Sequence, residues 1–434
     1  LAVVAGLWIG VVSMSFWGAF STSVSGMLSQ SHKLNHIGNN VANVNTTAYK
    51  PVETNFKTLL SEKKGGTNFM SVTSVDVRRT DRVGTPITTN RGFDLSISGP
   101  GYFIANDMPD GSGDQLYTRD GSFIARAQRL STDTDGDGNL DEAAYLTTSS
   151  GAYLMGYEAD GLGNFGSTLS PVYVNKDGIM PGQQTTTMGM TATLPSGATG
   201  TVKQTMRVYG ADGTPKNLTM VFDKVSGSDN QWTLSLAGSD VTAGSVSSSV
   251  LNFSGNGVYT GSGLTTADTP AHGDITFNVS WADGTSSSIA FDPSSLQQYA
   301  SDGISVKSVN QNGYASGTLS STAFDQSGVL HGFYDNGQSR PLFQLPLARF
   351  PADQNLDSLG GNMFRESEDS GSPDIFSMGN DSDITIIAGA VEASTVDLTT
   401  EFSDMILTQQ AYSSSANVFK TADEMIQTAA GIKR

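Results

Sequence analysis

The stretch HIGNNVANVNTTAYK (residues 36–50) holds four asparagines and a glycine, yet its apolar residues keep helical spacing. Ile37, Val41 and Val44 follow at steps of four and three, which is one stripe of a 3.6-residue helix. Gly38, Asn39, Asn40, Asn43 and Asn45 weaken that helix in isolation, through backbone entropy for Gly and competing hydrogen bonds for Asn. A helix of this composition needs partners.

Working outward, the same 4-3 rhythm runs upstream through Phe20, Val24, Met27, Ser31, Leu34, Gly38 and Val41. It returns at the far end as Leu398, Phe402, Met405, Gln409, Tyr412, Ala416, Phe419, Asp423 and Ile426, a heptad seam interrupted by Gln409 and Asp423. STVDLTTEF (394–402) predicts an N-cap at Ser394 or Thr395, with Asp397 and Glu401 at the positive end of the dipole. The span of the repeat implies a last helix of about 30 residues.

Between the ends the period drops to two. FDLSISGPGYFIA (93–105) alternates, turns at Gly99-Pro100-Gly101 and continues apolar. QLYTRDGSFIA (115–125) reads as a hairpin about Asp120-Gly121, and VLHGFYDNGQSRPLFQLPLARF (329–350) as another about Asn336-Gly337. MRVYGADGTPKNLTMVFDK with QWTLSL (206–236) reads as a meander turning at Asp212-Gly213. The Ser/Gly/Thr-rich tract 238–266 is expected to be loop or variable edge.

At 434 residues the chain is too long for one ordinary core. Its 49 glycines and its charged content of only 15% suit many short strands joined by turns. A net charge of −18 argues against nucleic acid, whose phosphates need clustered Lys and Arg. The charge is unevenly spread. Residues 14–64 hold five lysines against two glutamates, whereas residues 395–434 hold three basic against five acidic groups. The middle is therefore strongly acidic and would keep free subunits soluble and mutually repelling. Without cysteine, disulfides and thiolate metal sites are excluded. Residues 1–13 (LAVVAGLWIGVVS) are uncharged and apolar but shorter than the about 20 residues a bilayer span takes. They lack the basic start of a secretory signal and read as an extension upstream of Met14, outside the fold.

Chemistry-bearing motifs are sparse. The chain has no Walker A loop and no G-x-S-x-G elbow, and no acid/base or nucleophile constellation emerges, so no enzyme is expected. His32 and His36 stand at i, i+4 in HKLNH, but Lys33 replaces the Glu of H-E-x-x-H and no third ligand is adjacent, so the pair reads as a solvated helix face. Asp133, Asp135, Asp137 and Asp141 in DTDGDGNLDEAA carry calcium-loop spacing, but position twelve is Ala144 where the loop needs a bidentate Glu. The competing reading is an acidic hairpin loop; bound calcium would stiffen it and do no chemistry.

SGMLSQSHKLNHIGNNVANVNTTAYK (25–50) resembles the N-terminal signature of the bacterial flagellar rod and hook axial proteins, through Gly38, Asn39, Asn40, Val41, Ala42, Asn43, Thr47, Tyr49 and Lys50. RGFDLSISGPGYFIA, YTRDGSFIA and the last 45 residues resemble three further motifs of that family, in the same order. The blocks VYGADGTPKNLTMVFDK, FDPSSLQQYASD and 309–350 resemble its hook members, and the likeness is loosest over about 225–285.

The resemblance implies a mainly β fold with α-helical termini, its discontinuous β domains inserted between helices that form a coiled-coil-like inner tube on assembly. The expected division is a terminal helical core (14–60 and 392–434), connecting segments (61–90 and 365–391), an inner β domain (91–170 and 305–364) and an inserted outer β domain (171–304). The implied role is a self-assembling subunit of the flagellar hook, the curved flexible tube that passes torque from rod to filament. Implied partners are copies of itself, the rod protein, the hook–filament junction protein, the hook cap and the export apparatus. No nucleic acid or membrane insertion is expected, the location is extracellular after export through the flagellar type III channel, and no cofactor is expected beyond the candidate calcium loop. The residues expected to carry self-assembly are Phe20, Val24, Met27, Leu34, Gly38, Asn39, Asn40, Val41, Asn43, Leu398, Phe402, Met405, Gln409, Tyr412, Phe419 and Ile426. Residues 36–50 are expected to be loose in the free subunit and to order on assembly, since a marginal helix gains its stability from packing. Rival readings are a distal rod or junction protein of the same family and, outside it, a secreted β-rich adhesin stabilised by calcium.

Overall fold

A computed structural model describes residues 2–60, 70–129, 142–161, 163–246, 250–262, 274–378 and 384–432, with side chains of the first helix from Phe20 onward. Helix α1 (Ala2–Ala42) and helix α2 (Leu398–Ile432) lie side by side at the two chain ends. α1 runs without a break from Ala2, so residues 2–13 continue the helix where a segment outside the fold was expected. Among the described residues no helix is long and apolar enough to cross a membrane.

After α1 the chain forms a long antiparallel hairpin, β1 (Val52–Leu60) with β2 (Met70–Arg78), in register from Val52↔Arg78 to Leu60↔Met70. The hairpin lies along α1: Ser29 Oγ donates to Val72 O at 3.4 Å and Val72 N–H to Ser25 Oγ at 3.3 Å. The terminal module is thus helix, helix and hairpin, and the segments expected to be mere connectors are paired. Pro86–Thr88 bonds to Ala390–Glu392, and Leu95–Ser98 to Thr385–Ala388.

The inner β domain interleaves strands from before and after the insertion. Tyr102–Asn106 lies between Gln115–Thr118 and Pro346–Arg349, and Tyr153–Ala159 pairs with Ser339–Gln344. Its core gathers Leu95, Phe103, Phe123, Leu146, Leu154, Leu330, Leu345, Leu347 and Ile386. The Asn336-Gly337 hairpin forms as expected, with Gly337 at φ +79. The one expected at Asp120-Gly121 does not: Gln115–Thr118 pairs with Tyr102–Asn106 and Met363–Arg365, whereas Ile124–Arg129 pairs with Glu142–Thr147. The bend is real, since the Asp120 carboxylate accepts from the Ser122 N–H and hydroxyl.

The outer domain packs a six-stranded sheet on a five-stranded one. Met188, Met190 and Leu194 alternate inward from one strand, and Ile275, Phe277, Val279 and Trp281 from another. The meander at Asp212-Gly213 forms as read. Leu251, Phe253 and Tyr259, from the Ser/Gly/Thr-rich tract, are buried in this core, and Val241–Val246 and Tyr259–Ser262 stand at sheet edges, so the described part of the tract is mostly edge strand rather than loop. Both tryptophans of this core have an acceptor for the ring N–H: Trp232 bonds to Gln298 Oε1 at 3.0 Å and Trp281 to Ser287 Oγ at 2.7 Å. The neck is one bridge, with Gln183 and Tyr314 exchanging backbone hydrogen bonds at 2.9 and 3.0 Å. It moves the expected boundary. Tyr173–Asn175 and Ile179–Met180 stay in the inner sheet, and Ser305–Gln311 joins the outer one.

Candidate assembly surface

α1 and α2 pair antiparallel. Asn40 Nδ2 donates to Glu401 Oε1 at 3.0 Å, Lys33 meets Asp404 at 3.1 Å, and Phe20 packs edge-on against Phe419 with centroids 4.6 Å apart. Between these contacts the seam is small and polar. A Cβ on Gly26 would lie 3.3 Å from Ser415 Oγ, and Thr408 and Ala422 are buried. Small residues let helix backbones approach closely, so the pair is held by fit and hydrogen bonds rather than by a greasy stripe.

The apolar residues are left outside. On α2, Leu398 and Phe402 lie beyond one side of the seam and Ile406 on the face away from it, and Leu407, Val418 and Met425, which share one line at 3.6 residues per turn, flank it on the other side. Leu407 is 62% exposed, and on α1 Leu28 is 66% exposed. Large apolar side chains in rows of this kind mark an interaction surface on a soluble protein.

The residues expected to carry assembly divide accordingly. Val24, Gly38, Asn39, Leu398, Phe402, Gln409, Tyr412 and Ile426 are exposed in the single chain. Phe20, Met27, Leu34, Val41, Asn43, Met405 and Phe419 are half-buried, and Asn40 is buried. The expected set therefore overlaps the seam only in part: Phe20, Asn40 and Phe419 meet the other helix, whereas Val24, Leu398, Phe402, Tyr412 and Ile426 stay exposed. Leu28, Ile406, Leu407, Val418 and Met425, exposed and apolar, were not among the expected residues. Their signal is the line of Gly, Ser, Thr and Ala at Gly26, Thr408, Ser415 and Ala422, which locates the seam and leaves the bulkier residues outside.

Residues 36–50 find their partners within the chain. Asn40 donates to Val52 O at 3.1 Å, while its Oδ1 accepts from Val52 N–H at 3.1 Å and Tyr49 O–H at 3.2 Å. Asn43 Nδ2 reaches back to Asn39 O at 2.8 Å as the helix ends. Buried Ala48 takes the left-handed conformation, φ 56, and its N–H bonds to Glu392 O at 2.8 Å. Asn362 Nδ2 donates to Thr47 O at 2.6 Å. Contrary to the expectation of ordering only on assembly, this segment closes against β1, α2 and the inner domain, so a second copy is not needed to satisfy it. The asparagines serve as the joint where a helix passes into a strand.

Below the joint lies a buried charge cluster. Glu392 Oε1 accepts from Lys50 Nζ at 2.5 Å and from Gly84 N–H at 2.7 Å. Arg119 Nε stands 3.1 Å from Glu392 Oε2 out of line for a hydrogen bond, so that contact is coulombic. Arg119 Nη1 also holds the Gly99 and Gly101 carbonyls at 2.7 and 2.8 Å. Burial pulls the Lys50 ammonium below the ordinary lysine range against the opposing pull of the Glu392 carboxylate. The cluster clamps the exit of α1 and the approach to α2 onto the inner domain.

The start of α2 differs from the expected cap. Asp397 is the capping residue, its carboxylate accepting from Thr399 N–H at 2.9 Å and Thr400 O–H at 3.0 Å, and those bonds hold its carboxyl below the usual range. Thr395 instead bonds back to Tyr49 O at 3.2 Å. Burial raises Glu401, in the helix seam, above the usual carboxylate range in spite of its bond from Asn40. The cavity bounded by α1, β1 and the start of α2 is about 200 Å³ and lined by Lys33, His36, Asn40, Glu53 and Glu401 among others. Asp133, Asp135, Asp137 and Asp141 lie outside the described residues.

Three family models match the chain in order: the flagella basal body rod protein over residues 20–50, the flagellar basal body protein FlaE D2 domain over 175–314, and the C-terminal part of the flagellar basal body rod FlgEFG proteins over 387–432. The chain is 29% identical to the flagellar hook protein FlgE of Rhizobium meliloti (strain 1021), over 97% of this chain and 100% of that one. It is 29% identical to FlgE of Salmonella typhimurium and 28% to FlgE of Escherichia coli K12, each over 96% of this chain and 100% of the relative. A solved structure, the Helicobacter pylori hook protein FlgE2, aligns over 71% of this chain and 100% of its own at 14% identity and a TM-score of 0.39. Terminal helices around a nested pair of β domains, matched in order by three models and end to end by hook proteins, place the chain in the bacterial flagellar hook protein family.

Proposed function

We propose that this hook subunit polymerises through the outward apolar rows of its paired terminal helices, with the β domains carried on the outside of the tube. The observation that supports this reading is the exposure of Leu28, Phe402, Ile406, Leu407, Val418 and Met425 on a helix pair whose internal seam is already satisfied by small and polar residues. Copies adding head to tail by one repeated contact build an open helical tube rather than a closed ring. The acidic middle favours weak, wet contacts between outer domains, which can slide while the inner helices hold. The proximal neighbour is a rod protein and the distal one a junction protein, with the cap and export apparatus acting during assembly. The type III channel delivers the subunit to the cell exterior, and no catalytic step is assigned to it. The inserted outer domain and its D2 match favour this reading over a rod protein.

Leu28→Glu, Phe402→Glu and Leu407→Glu put a charge on each row without touching the seam. Each variant is expected to remain folded by circular dichroism and to stay monomeric in sedimentation, under salt that polymerises the parent into curved tubes. A Ser245→Glu change on the outer domain should leave polymerisation intact. Variants that polymerise at the parental concentration would refute the assignment.

A further inference from the structure

His32 and His36 sit one turn apart on the face of α1 that packs on the hairpin, and β2 brings Asp76 against both. His36 Nε2 is 3.1 Å from Asp76 Oδ2, and His32 Nδ1 is 3.5 Å from Asp76 Oδ1. All three ligand atoms lie within 4.8 Å of one another. A tetrahedral cation with bonds of about 2.1 Å spaces its ligand atoms by about 3.4 Å. The 3.1 and 3.5 Å distances, which run to the two oxygens of one carboxylate, are of that order, and a shared cation draws the three ligand atoms in from a spread of up to 4.8 Å.

Two further observations point the same way. His36 Nε2 is buried and has no hydrogen-bond partner, although a carboxylate oxygen stands 3.1 Å away out of line for a hydrogen bond. Thr54 Oγ1, on β1, donates to Asp76 Oδ1 at 3.2 Å, which helps fix the carboxylate, as the supporting groups of metal ligands do. Lys33, whose charge counts against a metal motif in the sequence, turns away to Asp404 on α2.

We propose that His32, His36 and Asp76 form a three-ligand site for a divalent cation of the zinc class, with a water completing the tetrahedron. Two imidazoles and one carboxylate suit Zn2+ over Ca2+ or Mg2+, which take mainly oxygen ligands. Bound metal cross-links α1 to β2 and fixes the hairpin along the helix. The site is structural: it ties together two elements that are otherwise joined there by Ser25, Ser29 and packing.

The test is titration of the full-length free subunit with Zn2+ alone, by calorimetry, alongside His36→Ala and the isosteric Asp76→Asn. The parent should take up one equivalent, His36→Ala should lose it, and Asp76→Asn should bind at least about tenfold more weakly. Co2+ substitution should give the visible bands of a tetrahedral site in the parent only. Zn2+ should also slow amide exchange in the peptides of both α1 and β2 that carry the ligands. No stoichiometric uptake by the folded parent overturns the proposal, as does uptake equal in all three proteins, which would place the metal elsewhere. Circular dichroism of Asp76→Asn guards against reading a folding defect as lost ligation.

Discussion

Glu392→Gln probes how the terminal helices are fastened to the β domains. The side chain is fully buried, and its two oxygens face an ammonium, a guanidinium and a backbone N–H. Glutamine keeps the volume and one acceptor, so Gly84 N–H stays bonded. What is lost is the only negative charge in the cluster described between Lys50 and Arg119. Removing one partner of a buried pair costs about 3–5 kcal/mol, because the remaining charge is left uncompensated. With an acceptor retained, the lower end applies, about 3 kcal/mol, which corresponds to about a hundredfold in an opening equilibrium. The assay is hydrogen exchange by mass spectrometry on peptides spanning residues 46–52, 82–86 and 390–396. These contain the Ala48, Gly84 and Ala393 amides, which are bonded to Glu392 O, Glu392 Oε1 and Thr85 O. They should exchange about a hundredfold faster, while the outer-domain strands Ile275–Trp281 and Ser286–Asp292 stay at the parental rate. Adding Lys50→Met should recover part of the loss, since it removes the stranded ammonium. Exchange within about threefold of the parent, or an equal change in the outer domain, would refute the view of the cluster as a clamp.

Glu401→Gln tests the helix seam through pH. A carboxyl whose folded pKa is raised by burial binds its proton more tightly when folded, so pairing gains as pH falls through that raised value and loses the gain as pH rises through it. Glutamine mimics the protonated form and still accepts from Asn40; the variant's α1–α2 amides should be better protected than the parent's at neutral pH and lose the parent's gain on acidification. Equal protection at all pH values would contradict the burial argument. Removing residues 184–313 and joining Gln183 to Tyr314 cuts the chain where these two already exchange backbone bonds. The remainder should fold, show parental exchange in the inner sheet and polymerise into straight rather than curved tubes, by electron microscopy; absence of any polymer would argue against inner helices as the holding contact.

Much of this architecture is local and could be read from the sequence. Period-two alternation marks strands because successive side chains face opposite ways, and turns at Asp212-Gly213 and Asn336-Gly337 need the positive φ that glycine supplies. Helices at both ends followed from their 4-3 rhythm, and acidic charge from a count. Tertiary structure alone decided the pairings between strands far apart in the chain. Strands about Asp120-Gly121 and the stretches near residues 86 and 390 joined partners far away in the chain, because cross-strand pairing is chosen by packing over the whole surface and not by the turn between neighbours. The face on which α1 meets α2 was hidden for a related reason. Apolar periodicity says which residues avoid water, whereas close backbone approach selects the small ones, so the greasy rows remained outside the seam. His32 and His36 were visible as a pair, but their third ligand stands on β2, and only the folding of the hairpin onto the helix brings Asp76 to them.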